Sequence, residues 1–314
     1  MKWKKVRLNR KRRFKDRIGT IVAEGIPMLA TMTIVSIILI MLGNFVFRGI
    51  LNVSWEFLSA VPKNNNLEGG IFPAIYGTVY LVFIMILFSI PIGTMTGIFL
   101  AEYTARNSWF TSTVRFAINT LAGVPSIVFG LFGVGFFIQF VGKGVDSIAG
   151  NPSPVWGKPA IIWAAATLAV LTLPVVIISV EETMRSIPRE MREASLALGA
   201  TKWQTIWKLV LPNSLTGILT GAILAIGRGA GEVAPILFVG VVYSLPDLPT
   251  KLTDQFMQLG YHLFVLATQS PDVDKALPKQ YATTLVLLML TFGMSFFATY
   301  FRYRIRKGKH KAST

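Results

Sequence analysis

Arg228 and Glu232 stand four residues apart in Ala225-Ile226-Gly227-Arg228-Gly229-Ala230-Gly231-Glu232-Val233-Ala234-Pro235-Ile236, a stretch otherwise made of apolar and small residues. A charge left alone at a bilayer centre costs roughly 2.5–3.5 kcal/mol on an insertion scale, so two in one apolar segment need a partner or a task. At i and i+4 of a helix they share a face and can pair, although Arg before Glu is the less favourable order for the helix dipole. Gly227, Gly229 and Gly231 strip side chains from the neighbouring surface and admit a close helix or a narrow water-filled path. Two readings stay open. One is a structural ion pair that fixes helix packing. The other is a gate on an anion path, in which the Arg228 guanidinium offers several donors to a tetrahedral oxyanion and Glu232 holds it between transport events. Pro125-Ser126 is a weaker candidate for the same path: the proline kinks a helix and frees a carbonyl, and Ser126 adds a hydroxyl. Ser126 bonded back to its own helix is the packing alternative.

A second constellation lies in the polar stretch 182–212: Glu193-Ala194-Ser195, then Gly199, then Leu209-Val210-Leu211-Pro212. Ser186 suits a helix cap, Pro188 a first turn, and Gly199 the position just after a helix end. Thr201-Lys202-Trp203-Gln204 has the form of a capping box opening a second short helix. Ala194, Ser195, Ala197, Gly199 and Ala200 are small, which lets a partner approach closely. An amphipathic connector with Trp203 and Trp207 on the membrane interface is the plainer reading.

The elements that must carry these residues are membrane helices. Hydrophobic residues make up 53% of the 314, charged ones 15%, and the mean hydropathy is +0.57. Six apolar runs near 27–47, 71–101, 116–141, 159–180, 213–243 and 281–301 reach about 20 residues, enough to span a bilayer. The expected fold class is therefore an all-α integral membrane protein with six transmembrane helices. Of 31 basic residues, 23 fall in residues 1–17, 102–115, 182–212 and the tail after Phe301. The positive-inside rule makes those segments, and both termini, cytoplasmic in a multi-pass cell-membrane protein. The formal charge of +16 then reports topology, and no nucleic-acid partner is implied.

The absence of cysteine excludes disulfides and Cys-ligated metal, and His262 and His310 are too few for a metal cluster. No Ser/His/Asp, paired-Asp or His-rich constellation suggests an enzyme. A G-x-x-x-x-G-K-[ST] loop is also missing, so any ATP must be bound by another polypeptide. The sequence divides into a basic arm at 1–26, an uncleaved anchor helix and external loop at 27–69, a transmembrane domain at 70–301 containing the 182–212 loop, and a basic tail at 302–314.

The Glu193 to Pro212 pattern resembles the EAA signature of ABC importer permeases, with Glu193, Ala194, Gly199, Leu211 and Pro212 matching and Ser195 and Leu209 as conservative departures. Gly-Arg-x-x-Gly-Glu-x-Ala-Pro at 227–235 is similar to the phosphate (Pst) importers, the Ala234-Pro235 pair favouring the PstA kind of permease subunit over PstC. Gly70-Ile71-Phe72-Pro73-Ala74-Ile75-Tyr76-Gly77-Thr78, Ala101-Glu102-Tyr103 and 125–132 extend the likeness to roughly residues 70 to 300; Gly229 departs from it, standing where a bulkier apolar residue is expected. The resemblance implies a type I ABC importer permease fold and a non-catalytic subunit of an ATP-driven phosphate importer. It implies that the 182–212 loop docks on the ATPase. The implied partners are a PstC-like permease in a heterodimer, two copies of a PstB-like ATPase carrying ATP and magnesium, a PstS-like phosphate-binding protein, and membrane lipid. This chain itself binds no cofactor in that scheme. A permease for sulfate or molybdate is the alternative within the class; a proton-coupled secondary anion transporter lies outside it and leaves the loop unexplained.

Overall fold

The computed structural model describes residues 10–312 except 64, 65, 67, 106 and 107, so residues 1–9 of the basic arm lie outside the described residues. Among the described residues six helices are long and apolar enough to cross a membrane: Ala23–Ile50, Phe72–Tyr103, Ser126–Ala149, Ile161–Arg185, Lys202–Gly231 and Val273–Lys307. The six-helix, all-α expectation is met.

Helix α1 (Arg10–Ile50) runs without interruption from the basic arm into the first span. A short helix, α2 (Trp55–Ser59), and a two-residue antiparallel ribbon, β1 (Pro62–Lys63) on β2 (Glu68–Gly69), lead to α3 (Phe72–Ile98), whose last turn widens into a π-helix over Phe99–Tyr103. The third crossing departs from expectation. A separate helix, α4 (Trp109–Ala122), precedes it, and the crossing starts only at α5 (Ser126–Phe132), continuing through a π-helical stretch (Gly133–Gly142) into α6 (Lys143–Ala149). Pro125 breaks the chain here instead of kinking a continuous helix, because it biases Val124 away from helical backbone and lacks an N–H, just after Gly123 has closed α4.

Helix α7 (Ile161–Arg185) is the axis of the bundle, flanked by α3 on one side and α10 (Leu211–Gly231) on the other. Most of its membrane-length window is buried, whereas that of α1 holds no buried residue. Lipid tails are as apolar as leucine, so helices associate in a bilayer through close packing; the buried Ala164, Ala165 and Ala169 bring α7 close to its neighbours. Between α7 and α10 lie α8 (Arg189–Ala197) and α9 (Lys202–Thr205). Ser186 does not cap α8. It closes α7, its Oγ donating to the Thr183 carbonyl at 2.7 Å, and Pro188 sits at the N-cap position of α8 without a side-chain bond. Helix α11 (Leu259–Thr268) and the long α12 (Val273–Ala312), which carries the basic tail as continuous helix, complete the chain.

Candidate functional site

Helix α9 runs through a π-helical stretch (Ile206–Val210) into α10, with Pro212 just beyond the wide turns, and α10 stops at Gly231, twelve residues before the expected end of that span at 243. Glu232 is extended, at φ −76° and ψ 132°. The two charges therefore do not share one helix face. Arg228 occupies the last turn of α10, Glu232 is the residue that leaves the helix, and Arg228 Nε donates to Glu232 Oε1 at 3.4 Å with the side chains 35% and 23% exposed. The dipole penalty expected from their order does not arise, since a cation in a helix's last turn faces its negative end.

The break is level with the middle of α3. Gly229 lies against the side chain of Met85, the central residue of α3, and a Cβ on Gly229 would overlap the Met85 sulfur. Glycine at this position is thus accounted for: the volume of the expected bulkier residue is filled from α3. The carbonyl of Ala230, among the last of α10 and without an intrahelical partner, accepts from Gln258 Nε2 at 3.1 Å in a fully buried setting.

From Glu232 to Gln258 the backbone forms no span. A 3-10 turn at Ala234–Ile236 is followed by loops whose carbonyls serve the start of α7: the N–H groups of Ala160, Ile161 and Ile162 donate to Val239, Asp254 and Leu252 at 2.9, 2.9 and 3.2 Å. Non-helical backbone at membrane depth persists only where protein buries it or it lines a water-filled cavity. Helix α5 packs on the 3-10 turn, Gly130 allowing the carbonyls of Ala234 and Pro235 to approach. Ser126 opens α5 one turn earlier, half-buried, with no hydrogen bond to Arg228, Glu232 or its own helix among the described residues. It shares an element with the break without touching the ion pair.

The other predicted set is brought together as a surface. No residue of α8 is buried, Glu193 and Ala194 face outward, and the apolar Met191, Leu196 and Leu198 are uncovered, Leu198 to 89%. Gly199 turns the chain at φ +86°, a left-handed conformation that disfavours side chains, and α9 starts with the complete Thr201–Gln204 capping box. Ser195 Oγ lies 2.9 Å from Thr205 Oγ1, fastening α8 to α9. Behind them Val210 is buried with Val180, Met184 and Ile187 of the α7 end, and the half-buried Leu211 packs on that cluster as α10 begins.

Residues 93–307 match the family described as binding-protein-dependent transport system inner membrane components. The chain belongs to that family. It is 31% identical over 298 residues to the probable ABC transporter permease protein YqgI of Bacillus subtilis, covering 90% of this chain and 94% of that one. It is 37% identical over 257 residues to the phosphate transport system permease protein PstA of Yersinia pestis, covering 82% and 80%. A chain of a bacterial alginate ABC transporter, solved with its alginate-bound periplasmic protein, superposes at a TM-score of 0.65 over 92% of this chain and 97% of that one, at 14% identity. The fold is that of type I ABC importer permeases.

In this permease two ionic clusters escaped sequence reading. Arg192 of α8 donates to Glu102 Oε1 at the end of α3 (2.8 Å from Nη2) and to the carbonyls of Met184 and Ile187 (2.7 and 2.6 Å). Glu181 of α7 accepts from both Arg115 of α4 and Arg185. Arg185 also reaches the Leu100 carbonyl at 2.7 Å. Glu181 and Arg185 have helical i, i+4 spacing and were legible as a pair. Glu102 and Arg192, 90 residues apart, carried no mutual signal.

Proposed function

We propose that this chain is one permease half of an ATP-driven importer of inorganic phosphate, with Arg228 and Glu232 as the gate of its translocation path. The observation that carries the gate is the termination of α10 level with the middle of α3, which sets an arginine and a glutamate on either side of a helix end beside non-helical backbone. The substrate reading draws on the phosphate permease named above, which this chain resembles over four-fifths of its length. In the resting state the carboxylate occupies the guanidinium; displacement of the segment after Gly231 frees Arg228 donors for a tetrahedral anion and moves the repelling charge aside. Ser126 is the further path residue of this reading, on the helix that packs against the moving turn. The α8 surface is the contact for a separate ATPase, and Glu193, Ala194, Ser195, Gly199, Leu211 and Pro212 form it or hold its shape.

The partners that complete this scheme are a PstC-like permease, two PstB-like ATPase subunits and a PstS-like binding protein. ATP and magnesium sit on the ATPase, and this subunit is not an enzyme. Both termini and α8 are cytoplasmic in this scheme. Uptake of labelled phosphate by the four-component complex in liposomes tests it, comparing the unaltered chain with Arg228→Gln and Glu232→Gln after verifying assembly. Each variant is expected to reduce ATP-dependent uptake by about tenfold or more, the consequence of about 1.4 kcal/mol at the barrier. Full uptake by both variants would reassign the pair to packing. Absence of phosphate uptake by the unaltered complex, with sulfate or molybdate carried instead, would overturn the substrate.

A further inference from the structure

On the side of the bundle that holds α8 and the end of α7, α7, α10 and α12 border an open cavity of about 400 Å³ lined by Thr183, Thr216, Thr220, Thr299, Arg302 and Arg306. Its floor is the contact of Gly217 with Thr183, and Tyr303 stands at its rim. Among the described residues no carboxylate lines it. That sets Arg302 apart. The other half-buried arginines of this side each have a glutamate, Arg115 and Arg185 sharing Glu181 and Arg192 holding Glu102, whereas Arg302, also half-buried, has no ion pair among the described residues. Its one fixed contact crosses to α10, Nη1 donating to Thr220 Oγ1 at 3.0 Å, which anchors the planar group in the cavity and leaves its remaining N–H donors free.

Arg306 follows at i+4 on the same face of α12, while Arg304, between them, turns away onto Tyr300. The hydroxyls of Thr183, Thr220 and Thr299 donate to carbonyls of their own helices, at 2.7 to 2.8 Å, so they shape the wall. The Thr216 hydroxyl makes no hydrogen bond among the described residues and adds a donor.

We propose that this cavity is a binding site for a phosphate group, separate from the Arg228–Glu232 gate. Two guanidinium groups without a counter-ion among the described residues, Arg302 half-buried between helices and Arg306 exposed beside it, suit an anion with several acceptor oxygens, and basic clefts at the cytoplasmic ends of membrane helices suit phosphate headgroups. The exposed Tyr303 at its rim and the exposed Phe296, one turn before Thr299 on α12, suit contact with acyl chains, favouring an anionic phospholipid. Inorganic phosphate leaving the importer has the same chemistry, and that second source rests on the function proposed above.

The test uses the assembled complex in nanodiscs. One arm measures retained phosphatidylglycerol by native mass spectrometry after transfer into phosphatidylcholine; the other measures equilibrium binding of labelled inorganic phosphate in phosphatidylcholine discs. In Arg302→Gln/Arg306→Gln one of these signals is expected to fall about tenfold, while Arg304→Gln leaves it unchanged. Loss of retained lipid identifies the headgroup, and loss of phosphate binding identifies the free anion. If the double variant does not assemble, Arg306→Gln, altering an exposed side chain, carries the comparison. Retention of both signals at the unaltered level, or an equal fall with Arg304→Gln, overturns the site. The headgroup result stands whichever anion the complex transports.

Discussion

At the scale of single residues, the fit of Gly229 against Met85 is what gives the charged pair its setting. Both residues are buried, and a side chain at 229 must displace the methionine or push α10 from α3 just below the helix break. Gly229→Leu is therefore expected to destabilise the permease by about 1–3 kcal/mol, the usual penalty for overpacking. Adding Met85→Ala removes the opposing atoms and restores much of the loss. Thermal unfolding of the purified complex reads both changes; an equal midpoint for the single and double variants would show that the strain lies elsewhere. The charged pair itself was visible in sequence because charge in an apolar run is conspicuous. Its partner at Gly229 was not, since Met85 lies 144 positions earlier.

At the scale of elements, the α8 surface is joined to the bundle by more than its own loop. Arg192 ties α8 to the end of α3 through Glu102 and to the end of α7 through two carbonyls, so a push on α8 reaches both helices at once. Glu102→Gln and Arg192→Gln are each expected to uncouple the complex, lowering phosphate uptake several-fold while ATP hydrolysis continues. The double variant should be no worse than either single one, because the pair acts as a unit. Proportional loss of hydrolysis and uptake would mean that the residues only support folding. The loop's own form was readable in advance: Gly199 at the helix end and the Thr201–Gln204 box depend on local backbone chemistry, and both appear as expected. Ser186 failed because one serine suits either end of a turn, and the competing demand of α7 for closure took it.

At the scale of the whole molecule, the proposed topology puts the end of α3 and the α8–α9 connection on one side of the six spans, and the distribution of basic residues makes the cytoplasm the expected side. The chain contains no cysteine, so single introduced thiols report position without background. Leu198→Cys, at the most exposed point after α8, is expected to react with a membrane-impermeant maleimide in inside-out vesicles and not in right-side-out ones. Bound ATPase should shield it. Labelling in right-side-out vesicles would invert the topology and remove the docking surface from the ATPase. The exposed apolar lengths of α1 and α12 are consistent with a subunit that meets lipid.

What the sequence determined alone follows from terms that act locally or add along the chain: six apolar lengths, the sidedness of charge, the capping chemistry of the loop, and the presence of an arginine and a glutamate that a bilayer would not tolerate idly. What only the tertiary structure decided are features set by contacts between distant segments. Helix α10 ends at Gly231 because Gln258 satisfies a terminal carbonyl, and the segment beyond it stays non-helical because its own carbonyls cap α7. Hydropathy cannot tell such a segment from helix, since the same apolar residues serve both and the backbone bonds that separate the two come from elsewhere in the fold.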